Sequence, residues 1–152
     1  MKNSAGLLMY RLREGSIEVF LVHPGGPFWQ HKDEGAWTIS KGELAPGEEA
    51  LAAAMREFEE ETGMQPHGPF LELTRIKQRG GKIVQAWAFQ GDCDPSQIKS
   101  NDFSLEWPPH SGQKHDFPEI DRAAFFKIEE ARRKINAAQV AFLSELAGKI
   151  GN

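Results

Sequence analysis

The chain is 152 residues long with a net charge of −4, and 39% of its residues are hydrophobic and 26% charged. That composition fits a single globular domain spanning 1–152 and excludes a disordered chain. No apolar run nears the ~18 residues of a membrane helix, no basic stripe marks a binder of duplex nucleic acid, and a lone cysteine, Cys93, excludes an internal disulfide framework or a multi-cysteine zinc site. No signal-peptide cleavage pattern follows Met1, so the expected setting is cytoplasmic, without membrane contact.

In chain order, Ser4–Arg11 and Ile17–His23 are apolar, strand-length runs around Glu14-Gly15-Ser16, which predicts a hairpin. His23–Ala36 is rich in Gly and Pro and reads as loop. Trp37–Ser40 is a short strand candidate, and Lys41–Gly47, with two glycines and Pro46, reads as a second loop. Glu48–Thr62 is dense in good helix formers, with Gly47 as its expected N-cap and Gly63 as its left-handed C-terminal residue. Phe70–Gln78 and Lys82–Gln90 flank Gly80-Gly81 as a second hairpin, followed by polar loop over Gly91–Gln97. Phe103, Leu105 and Trp107 alternate with polar residues, which predicts a strand with one buried face. Pro108–Pro118 is expected as loop, Ala123–Ile128 as a last strand, and Glu129–Ile150 as one long amphipathic helix presenting Ile135, Ala138, Phe142 and Leu146. Strands and helices mix without regular βαβ alternation, so the expected class is α/β, a mixed sheet with helices on its faces.

The acid is unevenly spread. Glu43–Thr62 holds seven carboxylates and one base, a charge of −6 against +2 for the rest of the chain. At about 100° per residue, Glu57, Glu60 and Glu61 share one face of the predicted helix, and Leu51, Met55, Phe58 and Thr62 form an opposite, core-facing stripe. Like charges at i, i+4 cost a few tenths of a kcal/mol each, and near a helix C-terminus they also oppose the macrodipole. A divalent cation reverses that penalty, and an all-oxygen ligand set suits Mg²⁺, Mn²⁺ or Ca²⁺. Taken alone, such a face is more often simply solvated.

The surrounding pattern changes that balance. Gly42, five residues, Glu48, seven residues, then Arg56-Glu57-Phe58-Glu59-Glu60-Glu61-Thr62-Gly63-Met64 resembles the complete Nudix box, G-x5-E-x7-R-E-U-x-E-E-x-G-U. Seven fixed identities at ~7% each arise by chance roughly once in 10⁸ positions. The resemblance implies a Nudix-type α/β/α sandwich and hydrolysis of a nucleoside diphosphate linked to another moiety, assisted by Mg²⁺ or Mn²⁺. It matches Glu57, Glu60 and Glu61 to metal-binding and water-activating carboxylates, and Arg56 to the arginine that orients them. Glu48 takes a supporting role, Gly42 permits the tight loop, and Lys41 offers its backbone carbonyl to a metal. In such chemistry divalent ions neutralise the pyrophosphate and acidify a water that attacks phosphorus in line.

The ending Phe125-Phe126-Lys127-Ile128-Glu129-Glu130-Ala131 resembles the family's W-x-x-L-E-E-A, and six residues before Phe125 stands Glu119. The family's extra glutamate from outside the box falls at that offset, with Asp116 and Asp121 as rivals. Trp37–Glu43 resembles the W-T-x-P-K-G-H stretch of diadenosine tetraphosphate hydrolases, with Ser40 for the proline and Glu43 for the histidine. The tyrosine which that branch carries after the box is absent, Tyr10 being the only one, and Arg79 stands where ADP-ribose pyrophosphatases carry a proline. Trp29 is the best candidate for stacking on a base, because its loop is polar and Gly-rich, and Lys41 and Lys114 are candidates for contacting phosphate. The expected substrate is a dinucleoside polyphosphate or a nucleoside triphosphate. A competing reading is a non-catalytic Nudix module that binds a nucleotide or partner protein; a Ca²⁺-binding acidic helix lacks the D-x-D-x-D-G loop it would need. Oligomeric state is not encoded in any pattern here.

Overall fold

A computed structural model describes residues 2–151. β1 (Asn3–Arg13) and β2 (Ser16–Pro24) form the expected hairpin, turning at Glu14 (φ 53°) and Gly15 (φ 79°). Two successive left-handed residues give a turn whose twist matches that of the strands. β3 (Ser40–Glu43) pairs antiparallel with the first half of β1. β4 (Leu71–Glu72) and β5 (Ile76–Lys77) lie antiparallel to β6 (Ile83–Gln90), which runs parallel to β1 along its other edge. β7 (Asp102–Glu106) and β8 (Lys114–Pro118) form a separate two-stranded hairpin, and β9 (Ile120–Lys127) closes the main sheet against β2. The main path is β4-β6-β1-β2-β9, with β3 beside β1 and β5 beside β6.

Alternation along the strands fills two hydrophobic layers. Ala5, Leu7 and Met9 of β1, with Phe20 and Val22 of β2 and Phe89 of β6, face Ala53, Ala54 and Phe58 of α1 (Ala50–Thr62). Leu8, Val19, Leu21, Val84 and Ala86 face the opposite way, onto α2 (Ile128–Lys134) and α3 (Val140–Ile150) through Ala131, Ile135, Phe142, Leu143 and Leu146. Each of the larger side chains contributes about 1.5–3 kcal/mol on burial. The result is the α/β/α arrangement that the resemblance implies. No helix among the described residues is long and apolar enough to cross a membrane.

Five local expectations are corrected. The strand expected at Trp37–Ser40 begins at Ser40 instead, and Lys41–Glu43, expected as loop, is strand. Gly6 makes this possible: a Cβ there would lie 2.5 Å from the Ser40 carbonyl oxygen. Trp37 and Thr38 form single bridges to Ile135 and Val22. α1 starts at Ala50 with Glu49, not Gly47, as N-cap, because the Glu48 carboxylate is turned back to accept from Ala45 N–H. Pro108–Pro118 is half strand, since Lys114–Pro118 pairs with Asp102–Glu106. The first arm of the second hairpin is interrupted where Thr74 N–H donates to Glu145 of α3 rather than to β6. The long C-terminal helix breaks at Ile135–Asn136. There the Arg133 and Lys134 carbonyls accept from Gly35 and Trp37 N–H, and Asn136 caps a short 3-10 turn over Ala137–Gln139. Tertiary partners outcompete helix propagation at that point.

Candidate active site

α1 ends as expected, on left-handed Gly63 (φ 79°), whose N–H bonds the Glu59 carbonyl. Its orientation differs from the helical-wheel expectation. The fully buried positions are Ala53, Ala54, Phe58, Glu61 and Thr62, while Leu51 and Met55 are only partly covered. α1 packs against β1 and β3, and part of the acidic face is interior: Glu61 is buried, Glu57 half-buried and Glu60 exposed at the rim.

Arg56 organises this face. Its Nε and Nη2 donate to Glu48 at 2.8 and 3.0 Å, Nη1 donates to Glu57 and Glu60 at 3.2 Å, and Nη2 also reaches the Glu43 carbonyl at 3.3 Å. Such charge-assisted bonds hold planar groups in register. They lower the Glu48 carboxyl from 4.5 to about 2, with the Ala45 N–H adding to the effect, and they raise the Arg56 guanidinium above its ordinary value.

The other carboxylates move the opposite way. Burial raises Glu57, partly offset by Arg56. Burial raises Glu61 to about 8, and the charges of Glu57 and Glu119 add to it. The Ser40 hydroxyl faces Glu61 and moderates the shift without closing a hydrogen bond, so Ser40 Oγ and Glu61 Oε1 are both buried without partners. Gly42 lies directly under Glu57: a Cβ there would sit 2.0 Å from the Glu57 carboxyl carbon.

These observations test whether the residues suit a divalent ion. A buried, unpartnered carboxylate oxygen beside further carboxylates costs energy unless a cation completes it. The donors are all oxygen, as Mg²⁺ or Mn²⁺ requires, and the residues therefore fit. Among the described residues, no three His, Cys, Asp or Glu side chains stand as a ready-made metal cage. The face is open, leaving coordination positions for backbone, water or phosphate oxygens.

Glu119 occupies the bend between β8 and β9. Its N–H donates to the Asn101 carbonyl at 2.8 Å, and its carbonyl accepts from Gly25 N–H at 2.9 Å. A Cβ on Gly25 would lie 2.0 Å from the Pro118 carbonyl oxygen, so only glycine permits this close crossing. Burial raises the Glu119 carboxyl and Glu60 raises it further, while Glu119 in turn raises Glu57 and Glu61. The fold thus brings Glu119 within electrostatic range of the acidic face.

Lys41 and Trp29 line one cleft of about 190 Å³, together with Gln78, Asn136 and Gln139. Burial and then the charge of Lys82 lower the Lys41 ammonium, and Glu61, Glu43 and Glu57 pull it back up, so this side chain stands between cleft and acidic face. The loop bearing Trp29 is anchored by buried His23, whose Nε2 lies 2.6 Å from the Lys32 carbonyl and whose Nδ1 lies 2.8 Å from Asp121. Lys114 is elsewhere: it is exposed on β8, opposite Glu106 in the hairpin register, and does not line the cleft. A larger apolar groove of about 560 Å³, lined by Tyr10, Phe70, Leu71 and Ile150, contains none of these residues. Ser40, Gln78, Asn136 and Gln139 escaped the reading of the sequence. Three of them are amides in segments far apart in the chain, with no spacing that could announce them.

The sequence model of the family described as NUDIX domain matches residues 2–146. No match is found among curated proteins. Among solved structures the chain is similar to a C. elegans Ap4A hydrolase binary complex, at 22% identity and TM-score 0.69, covering 99% of this chain and 98% of that one. It is similar to a mutT/nudix family protein from Listeria innocua, at 15% identity and TM-score 0.64, covering 99% and 94%. It is also similar to the NUDIX domain of Shewanella oneidensis NrtR complexed with ADP ribose, at 13% identity and TM-score 0.64, covering 99% and 88%.

Proposed function

The chain belongs to the NUDIX domain family, and from that premise we propose that it is a divalent-metal-dependent pyrophosphohydrolase. It cleaves a nucleoside diphosphate linked to another moiety, with a dinucleoside polyphosphate or a nucleoside triphosphate as substrate. The observation that carries this reading is the buried, unpartnered Glu61 Oε1 near Glu57, which itself lies against Gly42, on a face held in register by Arg56.

Glu57, Glu60 and Glu61, with the Lys41 backbone carbonyl, would hold Mg²⁺ or Mn²⁺. When bound, the ion supplies neutralisation of the pyrophosphate and acidification of water. The chain's own groups do the rest. Arg56 keeps Glu57 and Glu60 from splaying apart, and Glu48 keeps Arg56 in place. The Lys41 ammonium, half-buried next to the acidic face, offsets phosphate charge. Glu119, reaching the face from outside α1, accepts a proton from the attacking water or adds a ligand.

The test is turnover of a nucleotide panel with Mg²⁺ or Mn²⁺, with products identified by mass, on wild type and on Glu60→Gln and Glu61→Gln. The expected result is pyrophosphate-bond cleavage that each variant reduces by about 10²-fold or more, while both remain folded. Glu60→Gln removes a charge from a mutually repelling cluster, and Glu61→Gln replaces a carboxyl that burial already pushes up to about 8, so neither destabilises the metal-free protein. Nucleotide binding without turnover would instead assign the chain to the non-catalytic class of module.

A further inference from the structure

The cleft beside Lys41 carries a hydrogen-bond polarity that two backbone N–H groups dictate. Ile39 N–H donates to Gln139 Oε1 at 3.0 Å. The Gln139 amide nitrogen must then face the other way, where it donates to Thr38 Oγ1 at 2.9 Å and to Gln78 Oε1 at 3.0 Å. Gln139 is fully buried and wholly spent on these bonds. Gln78 therefore turns its oxygen inward and leaves its amide nitrogen uncommitted. Independently, Ala138 N–H donates to Asn136 Oδ1 at 2.9 Å, which leaves the Asn136 nitrogen uncommitted. Lys41 has donors only. Gln78, Asn136 and Lys41 line the same cleft, about 190 Å³ in volume, with Trp29 as its aromatic wall. Each of the three offers N–H to a ligand, and the two amide oxygens are turned toward the fold's own donors and not toward the cleft.

We propose, resting on the nucleotide-hydrolase reading, that this cleft is the base-recognition subsite and that it selects nucleobases with a keto edge. The chemistry favours a base over a bare phosphate. One ammonium and two neutral amides offer little charge, and an indole wall suits a flat ring. The cleft has room for one base and none for a whole nucleotide, and Lys41 stands on the side of the acidic face, where the phosphates belong. Guanine presents two adjacent acceptors, O6 and N7, and uracil presents its O4, whereas adenine and cytosine place an amino donor at the corresponding position. An amino group facing amide N–H groups leaves donors opposed and unsatisfied. The selection therefore runs toward guanine, hypoxanthine and uracil nucleotides and away from diadenosine compounds.

The test compares kcat/KM for GTP, ITP and UTP with that for ATP and CTP in Mg²⁺. ITP against ATP is the cleanest pair, since the two bases differ only around C6. Keto nucleotides should lead by about tenfold or more. A second arm needs no turnover: calorimetric Kd values for GMP and AMP in EDTA, with GMP the tighter. Asn136→Asp and Gln78→Glu each keep the oxygen that the fold uses and replace the free nitrogen by oxygen. Either should erase or invert the preference, in turnover and in binding alike. Equal use of ITP and ATP, a ratio untouched by both variants, or failure of both monophosphates to bind would overturn the subsite. Hydrolysis of every nucleotide without preference would overturn it while leaving the hydrolase reading intact. Tighter GMP binding that both variants abolish, without any turnover, would support the subsite and remove the hydrolase.

Discussion

Glu48 shows how one side chain serves both the fold and the site. It lies outside α1, accepts from Ala45 N–H, and grips Arg56 through two bonds. Its carboxyl is held near 2 instead of 4.5, chiefly by Arg56. A carboxyl lowered on folding stabilises fully above its unfolded value, and the contribution is lost as pH falls toward the folded value. The melting temperature of the metal-free protein should therefore fall between about pH 5 and pH 2, and Glu48→Gln should flatten part of that descent. Unchanged profiles in a thermal-denaturation series would mean that the pair is solvated and idle. At this scale much of the site was legible: the box spacing singles out Arg56, Glu57, Glu60 and Glu61. Ser40 and the cleft amides Gln78, Asn136 and Gln139 were not, because a polar side chain acquires its role only from what folding brings opposite it.

Local signals named the elements well where local chemistry decides them. Glu14-Gly15 takes the two positive φ values of a tight hairpin turn, and Gly63 takes the left-handed cap. They failed where a distant backbone supplied the hydrogen bond, as at the break after Lys134 and at Thr74. The β1–β3–α1 contact offers two glycines that separate fold from function. A Cβ at Gly6 would meet the Ser40 carbonyl oxygen at 2.5 Å and Lys41 Cβ at 2.7 Å, atoms that cannot easily move. Gly6→Ala should cost about 1–3 kcal/mol, the range of overpacked sites. The three atoms nearest a Cβ at Gly42 all belong to the end of the Glu57 side chain, which can swing away. Gly42→Ala should stay within about 1 kcal/mol of wild type and yet lose about 10²-fold in turnover, the scale of a 1 Å misplacement. Denaturant titrations alongside kcat would decide. Equal stability losses in the two variants would show that Gly42, too, is merely a packing residue.

At the scale of the whole molecule, the candidate site joins three segments that no window of sequence contains. α1 and β3 lie on one side, and the Glu119 bend is pinned between Gly25 and Asn101. The wheel located the acidic face, but only the sheet topology explains why Glu61 is interior, since β3 covers that flank of α1. Glu119 was readable as an offset from Phe125, yet the second half of the loop expected before it, Lys114–Pro118, is a strand paired with Asp102–Glu106. A bend held by two backbone anchors favours a fixed position for Glu119 over a sweeping lid. If Glu119 is the base, Glu119→Gln should lower kcat by about 10²–10⁴-fold with little change in KM. If it is a ligand, excess Mn²⁺ should restore part of the loss. Thermal shifts distinguish the two without any assay of turnover. Binding to the native state alone stabilises by RT ln(1 + [L]/Kd), about 2.7 kcal/mol at a hundredfold excess over Kd. Mg²⁺ should raise the melting temperature of the wild type, more so with a non-hydrolysable nucleotide. A base-only Glu119→Gln keeps that shift, whereas a ligand-deficient one loses much of it. Near wild-type kcat together with an unaltered metal shift would leave Glu119 with no part in the chemistry, its carboxylate close to the acidic face merely because the hairpin ends there.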